Sequence, residues 1–356
     1  MDYLNIRGPN HNEALWIALD IGGTLTKVVC IIPKCFERQF SHLEDSATHE
    51  IPLDPLLQVI CSSRQVQVPT VTSNLLVKTY LFSSRDISTL IDTLHDILNV
   101  IGYTEPSTVR VTGGGALKFA DVLKSKLNIT VSKVEEMTSL VTGLGFVLTL
   151  AKSSVRYDPS VRMTLPLTSS SPTYPFLLVS IGSGVSILRL DSPTDYKRVS
   201  GTAIGGGTAL GLGKLLLGCD SFQSLIDLSK CGESSRVDSS VGDLMGFRPD
   251  STDSTLFPSD TLAASLGKVG DQPRREDLAQ SLIRMTSYNI GYIACLVARI
   301  QNIRKIYFSG KFVHKHEPTM QAIAYAVDFY KSTWEAEARF LLHEGFIGAL
   351  GALISE

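Results

Sequence analysis

Residues 18–27, Ala18-Leu19-Asp20-Ile21-Gly22-Gly23-Thr24-Leu25-Thr26-Lys27, set an acid, two glycines, a hydroxyl and a lysine on one turn between apolar runs. The run before it (Leu15-Trp16-Ile17-Ala18) and the run after it (Val28-Val29-Cys30-Ile31-Ile32) predict two buried strands joined by a hairpin. Glycine at the bend lets bare main-chain N–H groups approach a polyphosphate. An acid at Asp20 suits a hydrated Mg²⁺, while Thr24 and Lys27 suit phosphate oxygens. The stretch also reads as an ordinary hairpin with Gly-Gly at its bend, so the decision falls to the rest of the chain.

The second half opens in the same way. Pro175-Phe176-Leu177-Leu178-Val179-Ser180 leads into Ile181-Gly182-Ser183-Gly184 and out through Val185-Ser186-Ile187-Leu188, again strand, glycine turn, strand. Two such halves predict a duplicated α/β architecture with a ligand between its lobes. The expected divisions are a polar tail over 1–12, a first lobe over 13–152, a Ser- and Pro-rich connection over 153–174 and a second lobe over 175–356.

In the first lobe residues 33–62 read as a loop-rich excursion, with strands at Val66–Val68 and Leu76–Phe82. Ile87, Leu90, Ile91, Leu94, Ile97, Leu98 and Ile101 fall on one stripe of a helix that Gly102 stops. Val109–Thr112 predicts a strand running into Gly113-Gly114-Gly115 and a helix to about Leu127. A strand over Thr130–Val134 and a helix from about Glu135 follow. In the second lobe residues 236–275 are weakly patterned, and a long helix spans about 276–302. Its stripe (Leu278, Leu282, Met285, Ile293, Leu296, Ile300) suits either the chain's own core or a second copy.

Four glycine turns follow strands, at 22–23, 113–115, 182–184 and 205–207. The run Gly205-Gly206-Gly207 opens an apolar helix, Leu210–Leu217, and a helix N-terminus of this kind is an anion site. It matches neither a Walker A loop nor Gly-x-Gly-x-x-Gly. Phosphoryl transfer also needs a group to orient the acceptor hydroxyl and charge to neutralise the moving phosphoryl. Glu135 and Glu136 follow a strand at the mouth of the expected cleft, and Arg198 lies on a later strand. By spacing alone the two acids equally suit a helix's first turn, and Arg198 suits a solvated strand.

Composition narrows the classes. With 44% hydrophobic and 19% charged residues the chain can bury a large core, and a formal net charge of −2 gives no general attraction to nucleic acid or anionic membrane. The six cysteines are scattered, without Cys-x-x-Cys, which argues for free thiols in a reducing compartment. No apolar run reaches the roughly 20 residues of a membrane span, and residues 1–12 lack an apolar leader core. The expectation is a cytoplasmic protein with neither nucleic acid nor membrane as partner.

These ordered motifs carry a resemblance. Asp20–Thr24, Thr112–Phe119, Glu135-Glu136 with Gly143, Gly182–Leu188, Tyr196–Val199, Gly201–Thr208, Asn289–Gly291 and His343–Gly345 together are similar to the eukaryotic-type (type II) pantothenate kinases. These belong to the actin, hexokinase and Hsp70-like superfamily. The resemblance implies a two-lobed, actin-like (ribonuclease H-like, duplicated) ATPase fold with the nucleotide in the interlobe cleft. It implies that Gly22, Gly23, Thr24 and Lys27, with Gly182, Ser183, Gly184 and Gly205–Gly207, embrace ATP. It puts Asp20 near Mg²⁺, directly or through water. It places Glu136 on the catalytic acid that takes the proton of the pantothenate hydroxyl. Ser183, Ser186 and Arg198 fall on positions that contact pantothenate, or the arm of an inhibiting acyl-CoA such as acetyl-CoA; a guanidinium suits a carboxylate. It further implies a homodimer through the helix at about 276–302. Tyr330 departs from the family, which commonly carries Trp after Asp328-Phe329. Two alternatives stand beside the pantothenate reading: a kinase of a sugar or other small alcohol, and a catalytically weak regulatory subunit of a mixed complex.

Overall fold

The computed structural model describes residues 13–23, 25–34, 52–63, 75–84, 86–101, 107–150, 153–158, 163–167, 173–246, 259–314, 316–329, 334–342 and 345–355. Thr24, Val66–Val68, Tyr330, His343 and Glu344 lie outside them.

Strands β1 (Glu13–Ile21) and β2 (Leu25–Pro33) form the hairpin predicted from the opening stretch, with Asp20 opposite Lys27. Next come α1 (Leu53–Ser63), β3 (Leu75–Ser83), α2 (Ile87–Ile101), β4 (Ser107–Thr112), α3 (Ala116–Leu127), β5 (Ile129–Lys133) and α4 (Glu136–Thr149). The strands order as β3-β2-β1-β4-β5, antiparallel across β3, β2 and β1 and parallel across β1, β4 and β5. Helix α1 falls inside the stretch expected to be loop. Pro55 sits in its first turn, where a missing N–H costs nothing, so proline signals a helix start here and not a loop.

The second half holds β6 (Ser154–Asp158), β7 (Met163–Leu167), β8 (Phe176–Ile181), β9 (Val185–Leu190), β10 (Tyr196–Thr202), α5 (Gly206–Leu217) and α6 (Phe222–Ser229). A small hairpin of β11 (Ser239–Ser240) and β12 (Leu262–Ala264), with α7 (Val241–Met245) between, precedes the long α8 (Arg275–Ile300). Then come β13 (Lys305–Ser309), α9 (Glu317–Asp328), β14 (Glu337–Leu341) and α10 (Ile347–Ile354). The large sheet runs β10-β9-β8-β13-β14-β6-β7. Its first five strands repeat the order and directions of the first sheet. The fold is therefore the duplicated, two-lobed actin-like α/β architecture. The Ser/Pro-rich stretch 153–174 contributes β6 and β7, and Pro166 is tolerated because β7 is the sheet's edge.

Alternation along β8 and β9 divides the core. Phe176, Leu178, Leu188 and Leu190 pack into the core of the first lobe, whereas Leu177, Val179, Ile181, Val185 and Ile187 pack against α8 and α9. Each such buried side chain contributes about 1.5–3 kcal/mol over exposure. The second sheet is thus covered on both faces, and one face looks toward the first lobe.

Helix α10 ends the chain yet packs on α4, β1 and β4 of the first lobe. The two helices cross at small residues. A Cβ at Gly143 would strike the Ile347 carbonyl, and one at Gly351 would strike the Ser139 carbonyl. The buried Arg110 of β4 donates to the Ser355 carbonyl just beyond α10, fixing that end.

Candidate active site

The β1–β2 turn places Asp20 and Lys27 side by side, Nζ to Oδ2 at 3.2 Å, both largely shielded from solvent (17% and 24% exposed). Two glycines press on the same carboxylate. A Cβ at Gly113, which has φ +88°, would lie 2.7 Å from Asp20 Oδ1, and one at Gly348 of α10 would lie 2.8 Å from Oδ2. Only positions without a side chain let β4 and α10 close around this acid. Gly22 donates its N–H to the Leu25 carbonyl at 2.9 Å and accepts from the Ser84 hydroxyl at 2.8 Å, which fixes the turn; Gly23 stands open with no neighbour.

Glu135 and Glu136, equivalent by spacing, have different work. Glu135 is the N-cap of α4. Its Oε2 accepts from the Thr138 N–H at 2.6 Å and the Thr138 hydroxyl at 3.0 Å. Partial burial pushes its carboxyl up, but those bonds, one from the Met137 N–H and the charge of Lys133 outweigh this and hold it below the ordinary range. Glu136, the first helical residue, has no such cap role. Shielding by surrounding protein raises its carboxyl, and the charges of Asp20 and Glu135 raise it further against the opposing pull of Lys27 and Lys133. Glu136 follows β5, whose Lys133 pairs with Val111 next to Thr112, the partner of Asp20, so it lies at the same end of the first lobe, with its side chain open to solvent.

The second lobe offers a matching end. Ser180 pairs with Ser186 and Ser309, and Ser186 pairs with Gly201, a row of small residues on the face turned to the first lobe. In the first sheet the same row reads Thr112, Asp20, Lys27. The correspondence extends to the turns. Gly310, φ +114°, follows β13 against the Ile181 carbonyl as Gly113 follows β4 against the Ile21 carbonyl. Asp20-Ile21-Gly22 therefore answers to Ser180-Ile181-Gly182, with the acid replaced by a hydroxyl.

Arg198 reaches this face through a β-bulge. The register with β9 shifts between Arg198 and Ser200, so Arg198 and Gly201, three apart, share one face. The guanidinium lies over Gly201, where a Cβ would be 2.5 Å from one of its nitrogens. Arg198 is exposed, and Ser186 is half-buried beside it.

In the glycine run at α5 the N–H groups already have partners. Gly206 donates its N–H to the Gly182 carbonyl at 2.9 Å, Gly207 to Ser183 at 3.0 Å, and Gly205 to the Thr208 hydroxyl at 3.4 Å. These are donors expected to receive an anion; the β8–β9 turn engages those of Gly206 and Gly207, and Thr208 of the same helix engages that of Gly205. Cβ atoms at 205, 206 and 207 would strike that turn, so the run serves to seat Gly182, Ser183 and Gly184 on the helix. Ser183 itself remains exposed at the tip.

Asp20, Gly22, Gly23, Lys27 and Glu136 are thus gathered at one end of the first lobe. Gly182–Gly184, Ser186, Arg198 and Gly205–Gly207 are gathered at the corresponding end of the second. Sequence reasoning missed Gly348, Ser180, Thr138 and Tyr196, whose roles depend on partners far along the chain. Gly310 had a signal, a strand ending in glycine.

The sequence profile of the Fumble family matches residues 16–355. The chain is 39% identical over 352 residues to pantothenate kinase 1 of Arabidopsis thaliana, covering 95% of this chain and 85% of that protein. It is 37% identical over 367 residues to pantothenate kinase 2 of the same plant, covering 98% of this chain but 39% of that protein. It is also 34% identical over 361 residues to the mouse 4′-phosphopantetheine phosphatase, covering 97% of this chain and 41% of that protein. The chain thus spans about two-fifths of the length of two of these three relatives.

Proposed function

The chain belongs to the Fumble family of type II pantothenate kinases, and on that footing we propose that it transfers the γ-phosphoryl group of ATP to the primary hydroxyl of pantothenate. The products are 4′-phosphopantothenate and ADP, the first step toward coenzyme A. The observation that carries this is the placement of Glu136, just after β5 and with a carboxyl raised by partial shielding and by the charges of Asp20 and Glu135, at the same end of the lobe as the Asp20–Lys27 pair. A base for an alcohol needs that proximity to the phosphate-handling groups.

The two glycines around Asp20 form a cradle that side chains would fill, and its carboxylate oxygens are hard donors, so the site fits Mg²⁺. Asp20 would hold the ion, directly or through water, and the ion would neutralise phosphate charge. Lys27 adds a cation beside it, and Gly22 and Gly23 keep the turn free of side chains. Glu136 Oε takes the acceptor's hydroxyl proton as the oxygen attacks phosphorus. Arg198 holds the pantothenate carboxylate and Ser183 and Ser186 offer hydroxyls to its amide arm. Acetyl-CoA or another acyl-CoA, whose arm repeats that chemistry, would compete there as inhibitor. The exposed apolar residues of α8, Leu296 and Ile300, support a homodimer through that helix, and the scattered cysteines support a reducing, cytoplasmic setting.

The decisive experiment measures ADP release from the purified chain with pantothenate, hexoses and small alcohols as acceptors. Pantothenate-dependent turnover is expected, and Glu136→Gln should lower kcat by about 10²–10⁴-fold while ATP still binds. Turnover of hexoses without pantothenate, or undiminished kcat in the variant, refutes the reading.

A further inference from the structure

A hydrogen-bonded chain crosses from one lobe to the other beside the two residues assigned to the acceptor. Tyr196 begins β10, the edge strand of the second sheet, yet its ring packs against the core of the first lobe. Its hydroxyl lies 2.7 Å from the Thr138 hydroxyl in the first turn of α4. Thr138 has one hydroxyl proton, and this goes to the Glu135 carboxylate at 3.0 Å. Tyr196 must therefore be the donor to Thr138. The order is Tyr196 O–H to Thr138 O–H to Glu135 carboxylate, a charge-anchored chain whose members strengthen one another.

We propose that Tyr196, Thr138 and Glu135 form an interlobe latch that positions Glu136 against the strand carrying Arg198. Placement supports this at both ends. Glu136 is the residue after Glu135, and Arg198 is two residues after Tyr196 on the same face of β10, before the bulge. Movement of α4 against β10 shifts the base relative to the residue that grips the acceptor. None of the three latch residues touches a reacting atom in this scheme; they are positioning residues. The inference rests on the pantothenate kinase reading for its kinetic consequence, but not for the latch itself.

Tyr196→Phe and Thr138→Val each remove one hydroxyl and preserve shape. Each is expected to lower pantothenate-dependent kcat about tenfold, with the KM for ATP unchanged. Thr138→Ser, which keeps the hydroxyl, should restore wild-type turnover. The double variant should lose no more than either single one, because one chain is cut in both. Unchanged kcat in the single variants, additive losses in the double one, or failure of Thr138→Ser to rescue would overturn the proposal.

Hydrogen–deuterium exchange on the full chain supplies a readout independent of the reaction. Tyr196→Phe should speed exchange at Met137–Leu140 about tenfold and leave the α8 amides as they are. Unchanged exchange there overturns the latch. A wild-type chain with no turnover on pantothenate instead refutes the assigned activity, and faster exchange in Tyr196→Phe would still uphold the latch.

Discussion

Replacing Gly348 by alanine tests how tightly Asp20 is held. The new Cβ would lie 2.8 Å from Asp20 Oδ2, and ordinary contact begins at 3.4 Å, so the carboxylate must retreat by about 0.6 Å. The atom it meets is the free end of a side chain, which moves more readily than backbone. Gly348 is the second residue of α10, so alanine gains less there than the about 1 kcal/mol of a helix interior. The clash costs about 0.5–1.5 kcal/mol through an off-rotamer Asp20. The gain offsets part of that cost, and Tm should fall by no more than about 3 °C. Activity has no such compensation. A displacement approaching 1 Å costs on the order of 10–100-fold, and the Lys27 contact at 3.2 Å is disturbed with it. The assay is kcat/KM for ATP across a Mg²⁺ titration, with Gly145→Ala as control because nothing lies within 4 Å of its Cβ. A Gly348→Ala enzyme with wild-type kcat/KM and wild-type Mg²⁺ dependence would refute the idea that α10 sets the carboxylate.

Two further outcomes follow from the structure. Gly351→Ala puts a Cβ onto the Ser139 carbonyl, which is backbone and cannot yield, so it should destabilise by about 1–3 kcal/mol in chemical denaturation; Gly351→Ala as stable as the parent would mean that the helices do not cross there. The raised carboxyl of Glu136 should appear as an acid limb of kcat/KM above the ordinary glutamate range, with activity rising as the pH rises through it. The sign for stability is opposite. The native state holds this proton more tightly than the unfolded chain, so the group lowers stability as pH climbs from the unfolded value through the folded one. Glu136→Gln should therefore melt higher than the parent at neutral pH and equally below both values.

Much of this was legible because local pattern and tertiary role coincide. Leu90, Leu94, Ile97 and Leu98 of the stripe are buried along one side of α2, which spans Ile87–Ile101. The paired strand–glycine–strand motifs predicted a doubled fold, and the two sheets share one strand order. Prolines misled twice, at α1 and β7, because composition does not say whether a proline sits at a helix start or a sheet edge. The Gly205–Gly207 run showed an anion seat in the sequence, but the donors of Gly206 and Gly207 are taken by carbonyls of a turn more than twenty residues earlier. Glu135 and Glu136 differ only in which of them caps the helix, and a one-residue boundary decides that. Asp20 against Gly348 spans nearly the whole chain, and no local pattern reports it.

The exchange of Asp20 for Ser180 between the two halves has an electrostatic meaning. A duplicated gene that kept both carboxylates would confront two like charges across the gap. Two such carboxylates would repel each other, more strongly the less water lies between them. With serine in the second half that repulsion is absent, and a neutral hydroxyl remains in its place. A symmetric scaffold thereby acquires a polarity, with a carboxylate beside a lysine at the end of one sheet and a pair of hydroxyls at the matching end of the other.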